Sequence, residues 1–350
     1  MQLVVRLALS RGHHGKDEHE PPACHVLCGG DPWSCPFMQT LISNRVREGT
    51  MLLDPDTVTA FGAAGMVLLA GSWLGRKHPV TAAAQVGWVL VGFYFFNQAW
   101  IYNDHDDIIL TVLCAATLPL SVGMAWWEAN ADEHQRSAVT WARGTVAFAG
   151  GPYLLISYVP YFSVMAIWLV ASQSAWFLGF TTGTDIQLGT TWVNDASGRV
   201  SWDEWDGNRW FATDFSGEYA FQTELIMADG GLIGINFVLA CTALQSMVLF
   251  IGAIATLELS WKRRVRTLLL VIPIIHTLNL FRNAGLIWMH LTYTQWDLWG
   301  MSVFEFGHTY VARVVSLFAM FLIALIMFDL LPKMHQHILT LSSPVTKGRR

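Results

Sequence analysis

Residues 231–257 read GLIGINFVLACTALQSMVLFIGAIATL, an apolar run without a charged side chain. At about 1.5 Å of rise per residue, a helix of that length exceeds the ~30 Å hydrocarbon core of a bilayer. Near its middle stands Cys241-Thr242-Ala243-Leu244-Gln245-Ser246. Two later apolar runs carry polar groups: Asn279-Leu280-Phe281-Arg282-Asn283 in one, and His308-Thr309-Tyr310-Val311-Ala312-Arg313 in the other. A thiol, two guanidinium groups and an imidazole on three separate segments are the components of a nucleophilic site.

The rest of the composition agrees with a membrane setting. Of 350 residues, 53% are hydrophobic and 13% charged, with a mean hydropathy of +0.39; soluble domains carry about a quarter charged residues. Seventeen Trp suit membrane–water interfaces. A net charge of −5 speaks against nucleic acid as a partner. The short alternating segments of a β-barrel are absent. The fold class expected is an all-α polytopic membrane protein.

Residues 1–50 differ from the remainder of the chain in composition. They are read as a disordered leader or an over-extended start, with Met51 near the working N-terminus. His13, His14, His19, Cys24, His25, Cys28 and Cys35 fall there, but their spacing fits no strong zinc pattern. No metal and no cofactor is expected. Cys114 and Cys241 lie in different apolar segments, which argues against a disulfide framework.

From residue 51 to 333 the chain reads as one membrane-integral domain. Spans are expected at about 57–75, 81–101, 108–126, 138–159, 232–257, 267–290 and 309–331. Residues 161–180 are either an eighth span or a helix lying at the interface. The basic stretch Lys262-Arg263-Arg264-Val265-Arg266 and the basic tail 334–350 belong on the cytoplasmic side. The loop 181–230 is then external, with nine acids against Arg199 and Arg209. Only if 161–180 lies on the outer surface do Arg76-Lys77-His78 and Asp104-His105-Asp106-Asp107 fall on their preferred sides. Seven spans with one outer interfacial helix is therefore the arrangement preferred. Within the loop, Thr191–Val193 and Arg199–Trp202 read as strands about the turn 194–198, part of a small external cap. Arg143 is expected to snorkel to the cytoplasmic edge.

Counting residues from the basic stretch and tail puts Cys241, Arg282, His308 and Arg313 all in the outer part of the membrane. A Cys inside a span is by itself most often a packing residue, and Cys114 is read so. A charged Arg there costs at least about 2.5 kcal/mol at the bilayer centre, which marks Arg282 and Arg313 as functional. Together they change the reading of the cysteine. Guanidinium groups stabilise a thiolate, an Arg aimed at a developing oxyanion assists acyl transfer, and His308 can carry a proton to a leaving amine. Thr242, Gln245, Ser246, Asn279 and Asn283 are read as supporting residues. The rival reading is a transporter or channel in which the arginines bind an anion, with no special need for the Cys241 sulfur.

At these residues the sequence resembles the archaeosortase/exosortase family, over roughly residues 55–332. Cys241-Thr242-Ala243 with Ser246 stands where the family has Cys-(Ser/Thr)-small. Asn279 and Arg282 fit its Asn-x-x-Arg element, His308 its histidine, and Arg313 the arginine of the archaeal branch. Ala243, in place of the Gly common in exosortases, also favours that branch. The resemblance implies a membrane cysteine transpeptidase, with Cys241 as nucleophile, Arg282 as proton donor and Arg313 as transition-state stabiliser. It implies exported surface proteins as substrates, such as S-layer glycoprotein, each bearing a C-terminal Pro-Gly-Phe signal, an apolar helix and a basic tail. A membrane lipid would accept the new C-terminus.

Overall fold

The computed structural model describes residues 55–75, 81–104, 108–195, 198–211, 220–298 and 300–347. The leader, its His/Cys group and the charges of 76–80 and 105–107 lie outside the described residues. Four long helices come first: α1 (Pro55–Leu74), α2 (Thr81–Asp104), α3 (Ile108–Asn130) and α4 (Glu133–Tyr158). Asp132 starts α4 with a capping box. Its carboxylate accepts from Gln135 N at 2.8 Å, and Gln135 Oε1 accepts from Asp132 N at 3.3 Å. Pro160 opens α5 (Pro160–Thr182) at its first turn, where a missing N–H costs nothing. Gly183, at φ 75°, closes it in the left-handed conformation.

A four-stranded antiparallel sheet comes next, in the order β2-β1-β3-β4, from β1 (Ile186–Asp195), β2 (Gly198–Ser201), β3 (Phe221–Met227) and β4 (Leu232–Phe237). The expected hairpin is present, with Trp192 opposite Ser201 and Asn194 opposite Arg199. Strand β4 was not expected and corrects the reading of 232–257 as one span. Residues 232–237 pair with β3, Thr223 facing Phe237 and Glu224 facing Asn236, and bury Ile233, Ile235 and Phe237 on one face. Leu239–Thr242 then form a single 3-10 turn, Ala243 takes φ 55° and ψ 17°, and α6 (Leu244–Ala255) runs for only 12 residues. That is about 18 Å, short of a hydrocarbon core.

The last part holds α7 (Trp261–Thr292), the two-residue strands β5 (Asp297–Leu298) and β6 (Met301–Ser302), α8 (Val303–Phe306), a π-helical turn at Gly307–Val311, α9 (Ala312–Leu330) and α10 (Pro332–Lys347). Among the described residues, five helical segments are long and apolar enough to cross a membrane: Thr57–Leu74, Ile108–Asn130, Pro160–Thr182, Trp261–Thr292 and Gly307–Leu330. Large side chains stay exposed along two of them, Ile108, Val112 and Leu120 on α3, and Leu317, Phe318 and Phe321 on α9. Such continuous apolar faces suit lipid rather than water. Helix α5 lies against the sheet along much of its length. Tyr161 stacks on Trp210 at 4.4 Å, and Trp168 Nε1 donates to Thr191 Oγ1 at 2.7 Å.

Three cores hold the elements. One joins α5, the sheet and the later half of α7. A second joins α4, α6, the first half of α7, α9 and α10, and the third joins α1, α2, α3 and α4. Helix α10 falls in the region read as a tail. It buries Met334 and packs Ile338 and Leu341 on that second core, and His337 stacks on Trp141 with ring centroids 5.5 Å apart. Arg143 does not snorkel. It is 2% exposed, ion-paired with Glu128, and donates to the Ser72 carbonyl at 3.1 Å. The Glu128 carboxylate also accepts from Trp88 Nε1 at 3.3 Å. A charge buried this way is held by partners from α1 and α3, which the local sequence around Arg143 does not reveal.

Helices α4 and α6 meet at Gly252, where an added Cβ would lie 2.6 Å from the Thr145 carbonyl oxygen and 2.8 Å from Ala149 N. Both are backbone atoms, so the helices would have to separate. Gly252→Ala should lower the thermal unfolding midpoint in detergent, by the equivalent of about 1–3 kcal/mol. Gly285→Ala, with nothing within 4 Å of its Cβ, should leave it unchanged or raise it.

Candidate active site

The break in the 231–257 run creates the site. Cys241 sits on the 3-10 turn between β4 and α6, half-buried against the core of α5, the sheet and α7. Its backbone N–H donates to Val238 O at 2.9 Å. Thr242 is buried; its hydroxyl donates to Leu239 O at 2.7 Å and accepts from Leu244 N at 3.3 Å, which ties the turn to the first residue of α6. Ala243 supplies the left-handed corner, an uncommon conformation for a residue with a Cβ. Helix α6 begins three residues after Cys241, so its positive end lies close to the cysteine in the chain, where it favours negative charge.

Helix α7 holds the turn from the side. Asn279 Nδ2 donates to the Cys241 carbonyl at 2.8 Å, and Asn283 Nδ2 donates to the same oxygen at 3.0 Å. Both asparagines are buried. Arg282 lies between them in sequence; one Nη donates to Asn279 Oδ1 at 3.4 Å, and its Nε is buried with no hydrogen-bond partner. The helix thus fixes the cysteine backbone through two amides and presents a guanidinium group beside it.

The π-turn brings the third segment. Gly307 approaches α7 closely, since a Cβ there would meet Leu286 Cδ2 at 3.0 Å. His308 is next, half-buried, its ring stacked on Phe304 at 5.8 Å and within electrostatic reach of both Arg282 and Arg313. π-Turns often mark functional positions in helices. Hydrogen bonds thus join Cys241 to Asn279 and Asn283, and Asn279 to Arg282, while Thr242 bonds within its own turn and His308 lies within reach of the charges of Arg282 and Arg313. Gln245 turns elsewhere, donating to Tyr153 Oη on α4 at 3.0 Å, and Ser246 is half-buried on α6. Cys114 lies on α3, which packs chiefly on α2.

Three participants escaped sequence reading. Tyr153 anchors Gln245. His276 Nε2 lies 2.7 Å from Gln173 Oε1 of α5. His290 Nε2 lies 2.9 Å from Ile233 O of β4. Two of them carried a signal: His276, Asn279, Asn283 and His290 fall on one face of α7 at helical spacing.

Residues 218–326 match the family model of the transmembrane exosortase (Exosortase_EpsH). The resemblance read from the motifs holds for this segment, which contains every candidate site residue from Cys241 to Arg313. A stretch of 62 residues is also 40% identical to Archaeosortase A of Haloferax volcanii; it covers 18% of this chain and 20% of that protein. No solved structure matches the chain. The exosortase-like segment thus takes in β3 and β4 and ends within α9, while Tyr153 and Gln173 come from helices outside it.

The two amide donors on one carbonyl give a direct test. Asn279→Leu or Asn283→Leu alone leaves one donor in place. The double variant strands a buried carbonyl, which costs about 1–3 kcal/mol. Denaturant unfolding in detergent should show a loss in the double variant greater than the sum of the singles; strictly additive small losses would mean that the carbonyl finds another donor.

Proposed function

We propose that the chain is a membrane cysteine transpeptidase of the archaeosortase/exosortase type, a thiol peptidase that transfers rather than merely hydrolyses. The observation that carries this reading is the fixing of Cys241 by Asn279 and Asn283, with Arg282 alongside and His308 and Arg313 within charge range. An anion transporter has no use for a cysteine held at a backbone corner by two buried amides.

In this reaction the Cys241 thiolate attacks a peptide carbonyl of the substrate. The new S–C bond forms as the carbonyl electrons move to oxygen, and Arg282 and Arg313 stabilise that oxyanion. Collapse breaks the C–N bond, and the leaving amine takes a proton from His308 or, in the role the family resemblance assigns it, from Arg282. Because guanidinium groups hold their protons strongly, His308 is the better donor, passing on the proton it takes from the Cys241 thiol as the thiolate forms. The resulting thioester is then attacked by a hydroxyl or amine of a membrane lipid, whose proton passes through His308 to the departing Cys241 sulfur. The substrates are exported surface proteins with a C-terminal sorting signal of the Pro-Gly-Phe type, S-layer glycoprotein among them. The protein sits in the cell membrane with several spans, its site toward the outer face, where the sheet covers it, and its C-terminus in the cytoplasm.

Cells expressing Cys241→Ala should accumulate full-length substrate that carries no lipid label, because loss of a nucleophile removes nearly all turnover. Cys114→Ala should process substrate normally. Arg282→Ala and Arg313→Ala should each slow processing about a hundredfold or more. Normal cleavage and lipidation in well-expressed Cys241→Ala protein would contradict the proposal and favour the transporter reading.

A further inference from the structure

A second polar recess lies at the other end of α6 from Cys241. It is a cleft of about 590 Å³ between the start of α4, the turn after α6, the start of α7 and α10. The 12 residues of α6 separate it from the cysteine turn by roughly 18 Å, so it is no part of the acyl-transfer site.

The groups facing the cleft carry a definite chemistry. Arg264 and Arg136 line it, with the hydroxyls of Ser137 and Thr140 beside Arg136 on α4. Arg264 is half-buried; one Nη donates to Leu257 O at 2.9 Å, which holds the guanidinium at the cleft wall. Its Nε is enclosed by the protein, so the second Nη is the group that a ligand oxygen would meet. Trp73 and Trp141 also line the cleft, and the indole N–H of Trp141 is occupied by Ala253 O at 2.9 Å. The acids Glu133 and Glu258, both exposed, also line the cleft, and Lys333 lies 3.4 Å from Glu258. His337 is not a third cation: burial and Lys333 hold its imidazole below the usual range against the pull of Glu258, so it stands neutral at pH 7.

The level of the cleft is also informative. Trp261, 71% exposed, begins the apolar segment of α7, and Leu330 ends that of α9. Arg263 donates to Leu330 O at 2.6 Å, so these two ends lie together. Trp beside Arg and Lys at the end of apolar helices is the signature of the headgroup layer. A recess there meets lipid phosphates at high local concentration.

We propose that this cleft binds a phosphate ester of the kind carried by a lipid headgroup, with the phosphate oxygens on the second Arg264 Nη, the Arg136 guanidinium and the α4 hydroxyls. Arg supplies the planar donor set that phosphate oxygens fit. The same oxygens could belong to a free phosphate, and the test separates the two. The full chain in detergent is titrated with phosphatidylglycerol, with a phosphate-free glycosyl diacylglycerol, and with inorganic phosphate, and binding is read by thermal shift and native mass spectrometry. Phosphatidylglycerol should stabilise the protein and remain bound, and the glycolipid should do neither. Arg264→Gln should weaken the effect tenfold or more, Arg136→Gln several-fold, and Ser137→Trp, which fills the cleft without changing charge, should abolish it. Should Arg264→Gln fail to fold through loss of its bond to Leu257, the other two variants decide. Equal action of inorganic phosphate assigns the cleft to free phosphate, while lipid-only action assigns it to a headgroup. Equal stabilisation by the glycolipid, or wild-type affinity in the Arg136 and Ser137 variants, overturns the proposal.

Discussion

A backbone carbonyl that leaves helical pairing inside an apolar bundle must find another donor, because no water is at hand to supply one. At Cys241 that donor is doubled: two buried asparagine amides from α7 reach the same oxygen. The rest of the site depends on this. Without it, the chain from 239 to 243 would gain by continuing α6 upward as regular helix, and the cysteine would lose its place beside the helix terminus. With it, the short helix, the left-handed Ala243 and the strand leading in from β3 become mutually compatible.

The same constraint operates at the far side of the bundle by different means. Arg143 is fully buried among α1, α3 and α4, and its charge is met by Glu128 and by the Ser72 carbonyl. Breaking such a pair from one side would leave an uncompensated charge, which is worth several kcal/mol, although the pair as a whole adds little over apolar packing. The role consistent with that balance is specificity of packing. It fixes which faces of the first four helices meet, and so where Tyr153 of α4 stands to receive Gln245.

How much of this was legible depends on which interactions are local. Most helices of 20 or more residues could be read directly, as could the Trp192–Ser201 hairpin, because apolar length and turn composition are properties of neighbours in sequence. The fate of 232–257 could not. Its first seven residues alternate, but the phase opposite Ile233, Ile235 and Phe237 also carries Leu232 and Val238, so the period of two is masked, and only pairing with β3 reveals it. Nothing in an alanine announces a positive φ, so the corner at Ala243 was equally hidden. The polar candidates were easier to pick out than the scaffold that carries them. Cys241, Arg282, His308 and Arg313 stood out because polar groups are expensive in apolar runs. Tyr153 and Gln173 did not, since their partners Gln245 and His276 lie 92 and 103 residues away in sequence.

The central claim is that Cys241 carries the acyl group in a site assembled from α6, α7 and the π-turn. Its most direct test is to incubate purified protein with a substrate bearing its C-terminal signal, in detergent free of lipid acceptor, then quench in acid and map the covalent adduct by mass spectrometry. The account predicts a hydroxylamine-labile thioester on the peptide containing Cys241, formed with release of the substrate's C-terminal fragment. Fragment release with an adduct on another residue, or with no adduct at any time while turnover proceeds, would contradict it.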